Sequence, residues 1–217
     1  MKDSLLDQGQ RRRLVERLRE KGIRDERVLQ AFMEVPRHYF VPGFLHAHAY
    51  GEDALPIACG QTISQPFTVA MQMQLLELQP KQKILEIGTG SGFQAALLKS
   101  MGAYVYTIER QADLYHEAEQ RFQQLKLPIP IRHGDGYAGW PELAPFDRIL
   151  LTCGAAEPPQ KLLAQLKTGG IMVAPIGTGE QTMTRIVRNA ENDFQSETFG
   201  SCRFVPMLEK ETGFNKK

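Results

Sequence analysis

Apolar and polar residues follow one another along the chain in a pattern that predicts an α/β protein. Two amphipathic helices come first, over residues 4–22 and 25–36, with glycine and proline at their ends. A polar, glycine-bounded loop over residues 47–66 then precedes a third helix over residues 67–78. The pattern of this N-terminal third therefore predicts helices and an ordered loop.

Beyond residue 78 the pattern changes to short apolar or alternating runs, which are typical of strands. The predicted strands cover residues 84–87, 104–108, 129–131, 146–152, 171–176, 183–188 and 199–206. Helices are predicted over residues 93–101, 112–126 and 158–166. Strands that are connected through helices pair in parallel, whereas the helix-free end predicts an antiparallel hairpin. We therefore predict a doubly wound, mostly parallel, seven-stranded Rossmann-like sheet with an N-terminal helical extension.

Length and composition fit one domain over residues 1–217, in which residues 67–207 form the α/β core and residues 1–66 the helices and loop before it. Hydrophobic residues make up 42% of the chain, charged residues 24%, and the net charge is +1, so no overall field recruits nucleic acid. Signal-peptide and membrane-span patterns are absent from the sequence, so we expect a cytoplasmic protein that binds no membrane. Three widely spaced cysteines predict reduced thiols and no metal site.

The most informative motif follows the first predicted core strand and reads Glu86-Ile87-Gly88-Thr89-Gly90-Ser91-Gly92. A dinucleotide-binding turn requires G-x-G-x-x-G, and its third glycine would stand at position 93, which is Phe93. The spacing therefore disfavours an NAD-dependent oxidoreductase. It resembles motif I of the class I methyltransferases, which implies S-adenosyl-L-methionine as the cofactor. A plain glycine turn of an α/β protein is the simpler alternative.

Two acidic residues follow later strands at positions that suit the same ligand. Glu109 ends the second core strand, 21 residues beyond Gly88, where a carboxylate can accept hydrogen bonds from both ribose hydroxyls. Asp135 stands between two glycines after the third strand, which favours contact with an adenine edge. Without the glycine motif, each acid would be interpreted as an ordinary strand-end or turn residue.

Other residues have simple structural interpretations when only their type is considered. Ser64 precedes a helix and suits its cap. His38 has no cysteine, aspartate or second histidine at ligand spacing, so we interpret it as a packed or surface histidine. The basic residues from Arg11 to Lys21 are interrupted by glutamates, which favours a solvated helix face over a nucleic-acid patch.

Several segments together resemble the protein-L-isoaspartate O-methyltransferase family. They are Val35-Pro36-Arg37, Phe40-Val41-Pro42, Ala54-Leu55-Pro56-Ile57, Gly60-Gln61-Thr62-Ile63-Ser64-Gln65-Pro66, the glycine motif, Gly134-Asp135-Gly136, Phe146-Asp147-Arg148-Ile149, Lys167-Thr168-Gly169-Gly170 and Arg203-Phe204-Val205-Pro206. The resemblance runs from about residue 30 to residue 207, and the G-Q-T-I-S-Q-P segment is its most specific part. It implies repair of isoaspartyl residues in damaged proteins and peptides by methyl transfer from S-adenosyl-L-methionine.

The resemblance also implies a role for each matching residue. Ser64 is the active-site serine, and Thr62, Ile63 and Gln65 belong to the substrate loop. The cofactor-binding set consists of Gly88, Thr89, Gly90 and Ser91 at the methionine end, Glu109 at the ribose, Asp135 and Gly136 at the adenine, and Glu86 and Gln181 on the cofactor side. Departures from the family pattern concern the substrate groove, and they are Gly51-Glu52-Asp53, Ala58-Cys59 and Phe93.

The reaction that the resemblance implies needs no general base, since a carboxylate is already ionised at neutral pH. We expect alignment of the reacting groups to supply most of the catalysis, with Ser64 donating a hydrogen bond to the substrate carboxylate. We also expect a monomer that binds no nucleic acid. The alternatives are a class I methyltransferase acting on RNA or a small molecule, against which the charge balance argues, and a non-catalytic module that binds a partner through its Arg11–Arg19 face.

Overall fold

Residues 3–208, the part of the chain that the computed structural model describes, form alternating helices and strands. The helices are α1 (Leu5–Glu20), α2 (Glu26–Glu34), α3 (Pro66–Leu75), α4 (Phe93–Ser100), α5 (Ala112–Gln124) and α6 (Gln160–Ala164). The strands are β1 (Leu55–Pro56), β2 (Thr62–Ile63), β3 (Lys83–Ile87), β4 (Tyr104–Glu109), β5 (Ile131–His133), β6 (Phe146–Leu151), β7 (Leu166–Ile176), β8 (Gln181–Ala190) and β9 (Asp193–Cys202). Within this range, no helix has both the length and the apolar character that crossing a membrane requires.

Seven of the strands form one sheet in the order β5-β4-β3-β6-β7-β8-β9. The first five of these pair in parallel, and β8 and β9 extend the sheet as an antiparallel hairpin at one edge. The predicted fold class is confirmed. Because β3 lies between β4 and β6, the chain winds outward from β3 in both directions, and ligands bind at the carboxyl ends of strands at such a reversal point.

Several predicted boundaries are wrong, including the start of β7, which is residue 166 rather than 171, and three of the errors have a local cause. The strand predicted over residues 129–131 begins at residue 131, because Pro130 has no N–H to offer a strand ladder. The helix predicted over residues 158–166 ends sooner, since Leu166 already pairs with Phe146 in the sheet. The last strand begins at residue 193, earlier than predicted. Its residues are mostly exposed and polar, so no apolar alternation marked its start in the sequence.

The sheet is covered on both faces. Successive residues of β3 point to opposite sides, so that Ile84 belongs to one hydrophobic cluster and Leu85 to the other. The first cluster includes residues of α1 to α5, and the second packs beneath α6. A strand that is buried on both faces cannot shift its register without exposing apolar side chains, so β3 is a fixed base for the loop that follows it.

The N-terminal helices pack on this core, and α1 begins with a capping box between Ser4 and Asp7. The predicted solvated face holds for Arg12, Arg13, Arg19 and Lys21, which are exposed, whereas Arg11 and Arg17 make internal contacts. Arg11 is buried and pairs with Asp3 at 2.8 Å, and Arg17 donates to the Tyr50 carbonyl oxygen at 2.7 Å. These arginines therefore join α1 to the segment that precedes the substrate loop.

Candidate functional site

An open cavity lies at the carboxyl ends of β3, β4 and β6. Most of its wall comes from residues 61–64, the glycine loop at 87–91, residues 108–111 and the C-terminal segment at 205–208. The cavity thus joins the glycine loop to residues 61–64, the serine loop, although the two come from separate motifs of the sequence.

The glycine loop is held by the two strands that flank β3. The Gly88 N–H donates to the Ile108 carbonyl oxygen at 2.9 Å, and the Thr152 N–H donates to the Ile87 carbonyl oxygen at 3.0 Å. Gly88, Thr89, Gly90 and Ser91 all line the cavity, as predicted for cofactor-binding residues. Gly90 has a φ of 53°, a left-handed conformation that places its N–H toward Glu109.

Glu109 presents a carboxylate to the same cavity in a fixed orientation. One oxygen accepts the Gly90 N–H at 2.8 Å, and the other accepts the Gln111 N–H at 2.9 Å. The residue is only 6% exposed, and its carboxylate oxygens retain lone pairs for further hydrogen bonds. A fixed carboxylate with free acceptor capacity fits a diol, so the donor and acceptor set of this cavity fits the ribose of S-adenosyl-L-methionine.

The predicted adenine residues lie beside the cavity. Gly136 lines it, whereas Asp135 caps the short turn at residues 136–138 by accepting the Tyr137 N–H at 2.9 Å. The second carboxylate oxygen of Asp135 takes no part in that capping contact. The assignment of Asp135 to an adenine edge stays a prediction.

The serine loop is the end of a small hairpin in which β1 and β2 pair antiparallel. Thr62, Ile63 and Ser64 line the cavity, whereas Gln65 is the cap residue of α3 and does not. The helix-cap interpretation of Ser64 is therefore wrong. Within residues 3–208 no group hydrogen-bonds to the Ser64 hydroxyl, which leaves it available to a ligand.

Glu86 and Gln181 were predicted to bind the cofactor, but neither side chain is part of the cavity wall. Glu86 is fully buried, accepts the Thr107 hydroxyl at 2.6 Å, and through it is linked to Thr89. Burial raises the pKa of Glu86 to about 8, so the side chain is mostly protonated at neutral pH. Glu86 therefore reaches the glycine loop through two threonine hydroxyls.

Gln181 contacts Phe204, which directly precedes the C-terminal segment of the cavity wall. Its side-chain oxygen accepts the Phe204 N–H at 2.8 Å, and its side-chain nitrogen donates to the Phe204 carbonyl oxygen at 3.4 Å. Gly154 holds the next residues, since its N–H donates to the Val205 carbonyl oxygen at 2.8 Å and its own carbonyl oxygen accepts the Met207 N–H at 2.7 Å. Gln181 and Gly154 together place residues 205–208 in the cavity wall.

Sequence reasoning missed several cavity residues. Residues 207–208, Arg110 and Cys153 line the cavity without having been predicted. The only signal in the sequence was the closing Arg203-Phe204-Val205-Pro206 motif, which the family resemblance included without a role. Burial raises the pKa of the Cys153 thiol to about 12, so this sulfur is protonated and is no nucleophile.

His38 is packed, as predicted, but it has neighbours that sequence spacing did not reveal. Its Nδ1 atom lies 2.7 Å from the Tyr50 hydroxyl, and the rings of His38 and His46 stack at 4.5 Å with 10° between their planes. Asp7 lies 3.2 Å from the Nε2 atom of His46. The lone pairs of an imidazole lie in the plane of its ring, so the lone pairs of two parallel stacked rings cannot both be directed at one ion. We therefore interpret the cluster as a structural contact.

Comparisons with known proteins agree on one family. The family model described as protein-L-isoaspartate(D-aspartate) O-methyltransferase matches residues 9–212. A protein-L-isoaspartate O-methyltransferase from Christiangramia forsetii is 50% identical over 210 residues, which cover 96% of this chain and 99% of that protein. The protein of the same name from Salinibacter ruber is 52% identical over 215 residues, which cover 94% of each chain.

Solved structures agree with this relationship. A protein-L-isoaspartate O-methyltransferase structure superposes with a TM-score of 0.83 at 26% identity and covers 92% of this chain and 66% of that chain. A Plasmodium falciparum structure in complex with S-adenosyl-L-homocysteine has a TM-score of 0.79 at 24% identity and covers 90% of this chain and 96% of that chain. The second similarity supports the fold.

We predict that Glu86→Gln makes the protein more stable than the wild type above pH 8, and that this advantage shrinks toward pH 5. A buried acid with a raised pKa holds its proton in the folded state, so its contribution to stability is complete below the unfolded pKa and is lost as pH rises toward the folded value of about 8. The expected gain in the free energy of unfolding is on the order of a few kcal/mol at most. Chemical denaturation at several pH values measures it.

The matched control for this prediction is Glu117→Gln, which neutralises an exposed glutamate on α5. It should leave the pH dependence of stability close to that of the wild type. A Glu86→Gln protein whose stability relative to the wild type did not change between pH 5 and pH 8.5 would contradict the raised pKa.

Proposed function

Since the chain belongs to the protein-L-isoaspartate(D-aspartate) O-methyltransferase family, we propose that its cavity aligns the free α-carboxylate of an isoaspartyl residue with the methyl group of S-adenosyl-L-methionine. The observation that supports this most directly is that Ser64 and the glycine loop line one cavity. The serine loop supplies the substrate side of that cavity, and the glycine loop supplies the cofactor side.

The cofactor, when bound, supplies a methyl group made electrophilic by a sulfonium. Its methionine end would be held by the loop from Gly88 to Ser91, its ribose by Glu109, and its adenine by Asp135 and Gly136. Glu86 and Gln181 would act on the cofactor side at one remove, through Thr107 and through Phe204.

On the substrate side, Ser64 would donate its hydroxyl hydrogen to one carboxylate oxygen and leave the other oxygen for attack on the methyl carbon. Main-chain N–H groups between Thr62 and Gln65 would assist it. The nucleophile needs no deprotonation, because a carboxyl group with a pKa of about 4 is ionised at neutral pH. Catalysis then consists mainly of holding the oxygen in line with the methyl group.

The product is a methyl ester, whose methoxy group can leave as methanol, whereas a carboxylate has no comparable leaving group. The neighbouring main-chain nitrogen attacks the ester carbonyl, methanol departs, and a succinimide forms. Water then opens this ring at either carbonyl, and one of the two outcomes is a normal aspartyl linkage. The other outcome is the isoaspartyl linkage, which the enzyme can methylate again. Repeated cycles therefore convert isoaspartyl residues into normal aspartyl residues.

The remaining features of the proposal concern the cellular setting and the whole chain. We take the enzyme to be a cytoplasmic monomer, with residues 1–217 as a single domain. Its partners would be isoaspartyl peptides and damaged proteins, and its net charge of +1 gives nucleic acid no general attraction. Gel filtration with light scattering measures the molar mass in solution and so tests whether the protein is a monomer.

The activity is tested by the transfer of base-labile radiolabel from methyl-labelled S-adenosyl-L-methionine to two peptides that differ only in an isoaspartyl or an aspartyl linkage. We expect label on the isoaspartyl peptide alone, because only this linkage leaves an α-carboxylate free at that position. Equal labelling of both peptides, or label on neither while the cofactor still binds, would rule out the proposed substrate.

We predict that Ser64→Ala lowers kcat for the isoaspartyl peptide by about tenfold or more, since one hydrogen bond to a charged group is worth roughly 1.5–3 kcal/mol. The affinity for S-adenosyl-L-homocysteine should change by less than about twofold, because Ser64 belongs to the substrate side. Ser64→Thr keeps a hydroxyl and should recover part of the lost rate. Wild-type turnover in Ser64→Ala would show that the hydroxyl does not position the carboxylate.

Glu109→Ala should weaken S-adenosyl-L-homocysteine binding by about 10- to 100-fold, because the ribose hydroxyls lose a charged acceptor. Isothermal titration gives the affinity directly. Glu109→Gln retains one side-chain oxygen and should lie between the alanine variant and the wild type. Unchanged affinity in both variants would remove Glu109 from the cofactor site.

A further inference from the structure

Arg37 is a buried cation whose charge has no anionic partner in the described part of the chain. It lies in the short turn at residues 37–40 that follows α2, and it is 1% exposed. Its Nη2 atom donates to the Ser64 carbonyl oxygen at 2.9 Å. The Nε and Nη1 atoms are buried without an acceptor among residues 3–208, and no carboxylate in that range pairs with them. Buried guanidinium groups normally have a counter-charge, so this arrangement calls for one.

The surroundings of Arg37 are apolar and lie directly behind the cavity. The guanidinium carbon is 4.9 Å from the centre of the Phe93 ring, and Phe93 is part of the cavity wall. Phe32 and Phe40 pack on the same ring, with centroid distances of 5.8 Å and 5.5 Å. Burial lowers the pKa of Arg37 to about 9, which still leaves it charged at neutral pH. In such surroundings a charge acts with little screening.

We propose that Arg37 is a positioning residue for the substrate carboxylate. Its guanidinium fixes the main chain of Ser64, and its charge, acting from behind the serine loop, favours an anion at the Ser64 hydroxyl. This inference rests on the proposed function, and it adds a second role for the site, which is selection of a free carboxylate over a neutral group.

The charges that line the cavity give no equivalent source of selection. Among its described lining residues, Glu109 is the one carboxylate and Arg110 the one basic side chain. These two residues are adjacent at the end of β4, where the ribose is proposed to bind, so the charge of Arg110 is offset by its neighbour. Arg37 is the cation that is hydrogen-bonded to the serine loop itself.

The test measures binding without turnover, on protein saturated with S-adenosyl-L-homocysteine. The probes are one isoaspartyl peptide with its free α-carboxylate and the same peptide with an α-carboxamide, which is neutral and nearly the same size. For wild-type protein we expect the carboxylate form to bind at least about tenfold more tightly. Arg37→Met should lose most of this preference, while its affinity for S-adenosyl-L-homocysteine changes by less than about twofold.

Two further substitutions separate the charge from the hydrogen bond. Arg37→Gln retains a donor for the Ser64 carbonyl without a charge, and it should lose the preference for the carboxylate. Arg37→Lys retains the charge and should keep most of it. This pair decides the question even if Arg37→Met does not fold.

The control for a purely structural effect is Arg148→Met. Arg148 is another buried arginine that donates only to main-chain carbonyl groups, of Leu76, Asp147 and Glu77, outside the cavity wall. Its loss should lower the melting temperature and leave the ratio of the two peptide affinities unchanged.

Each outcome has a distinct meaning. Retention of the wild-type preference in Arg37→Gln and Arg37→Met, or its loss in Arg110→Met alone, would overturn the role of Arg37. A wild-type protein that binds both peptides equally would instead refute the carboxylate recognition in the proposed function.

Discussion

The pairing of β3 with β4 on one side and with β6 on the other is the constraint on which the site depends. Both pairings are parallel, so three strands end at the same edge and their loops meet there. Main-chain hydrogen bonds to Ile108 and from Thr152 then hold the first turn of the glycine loop. Glu109 follows Ile108 directly, so the same pairing that forms the sheet also sets the distance between the loop and its carboxylate.

Two buried ionisable groups, Glu86 and Arg37, lie behind the cavity wall, and they differ in charge. Glu86 is held in its neutral form and contributes a chain of hydroxyl hydrogen bonds that ends at Thr89. Arg37 stays charged and lies against an aromatic ring behind the serine loop. The cofactor side thus carries a neutral buried acid and the substrate side a buried cation. That asymmetry suits a reaction in which a carboxylate approaches a sulfonium from the serine side.

The residues that sequence reasoning identified are those whose chemistry depends on local spacing. The glycine loop, Glu109 at the end of its strand, and the serine loop all follow from short motifs, and the sheet follows from the order of strands and helices. The family resemblance, rather than residue type, gave Ser64 its role. The start of the last strand was predicted wrongly because its residues are polar and exposed, so no apolar pattern marked the boundary.

The contacts that the sequence did not reveal join distant parts of the chain. Arg37 and Ser64 are 27 positions apart, and His38 and Tyr50 meet only because the turns between them fold back. Gln181 was assigned to the cofactor side through the family resemblance, yet its amide binds the main chain of Phe204. Such pairings depend on tertiary packing, which a single sequence does not encode in any short window.

The C-terminal segment has a consequence for how such an enzyme can diversify. Residues 205–208 are anchored through the main-chain groups of Val205 and Met207, which bind Gly154 whatever their side chains are. The Met207 side chain is buried in the second hydrophobic cluster, whereas the half-exposed Leu208 side chain can vary while the wall keeps its place. A substitution at position 208 can therefore reshape this wall of the cavity without disturbing the sheet that holds the glycine loop.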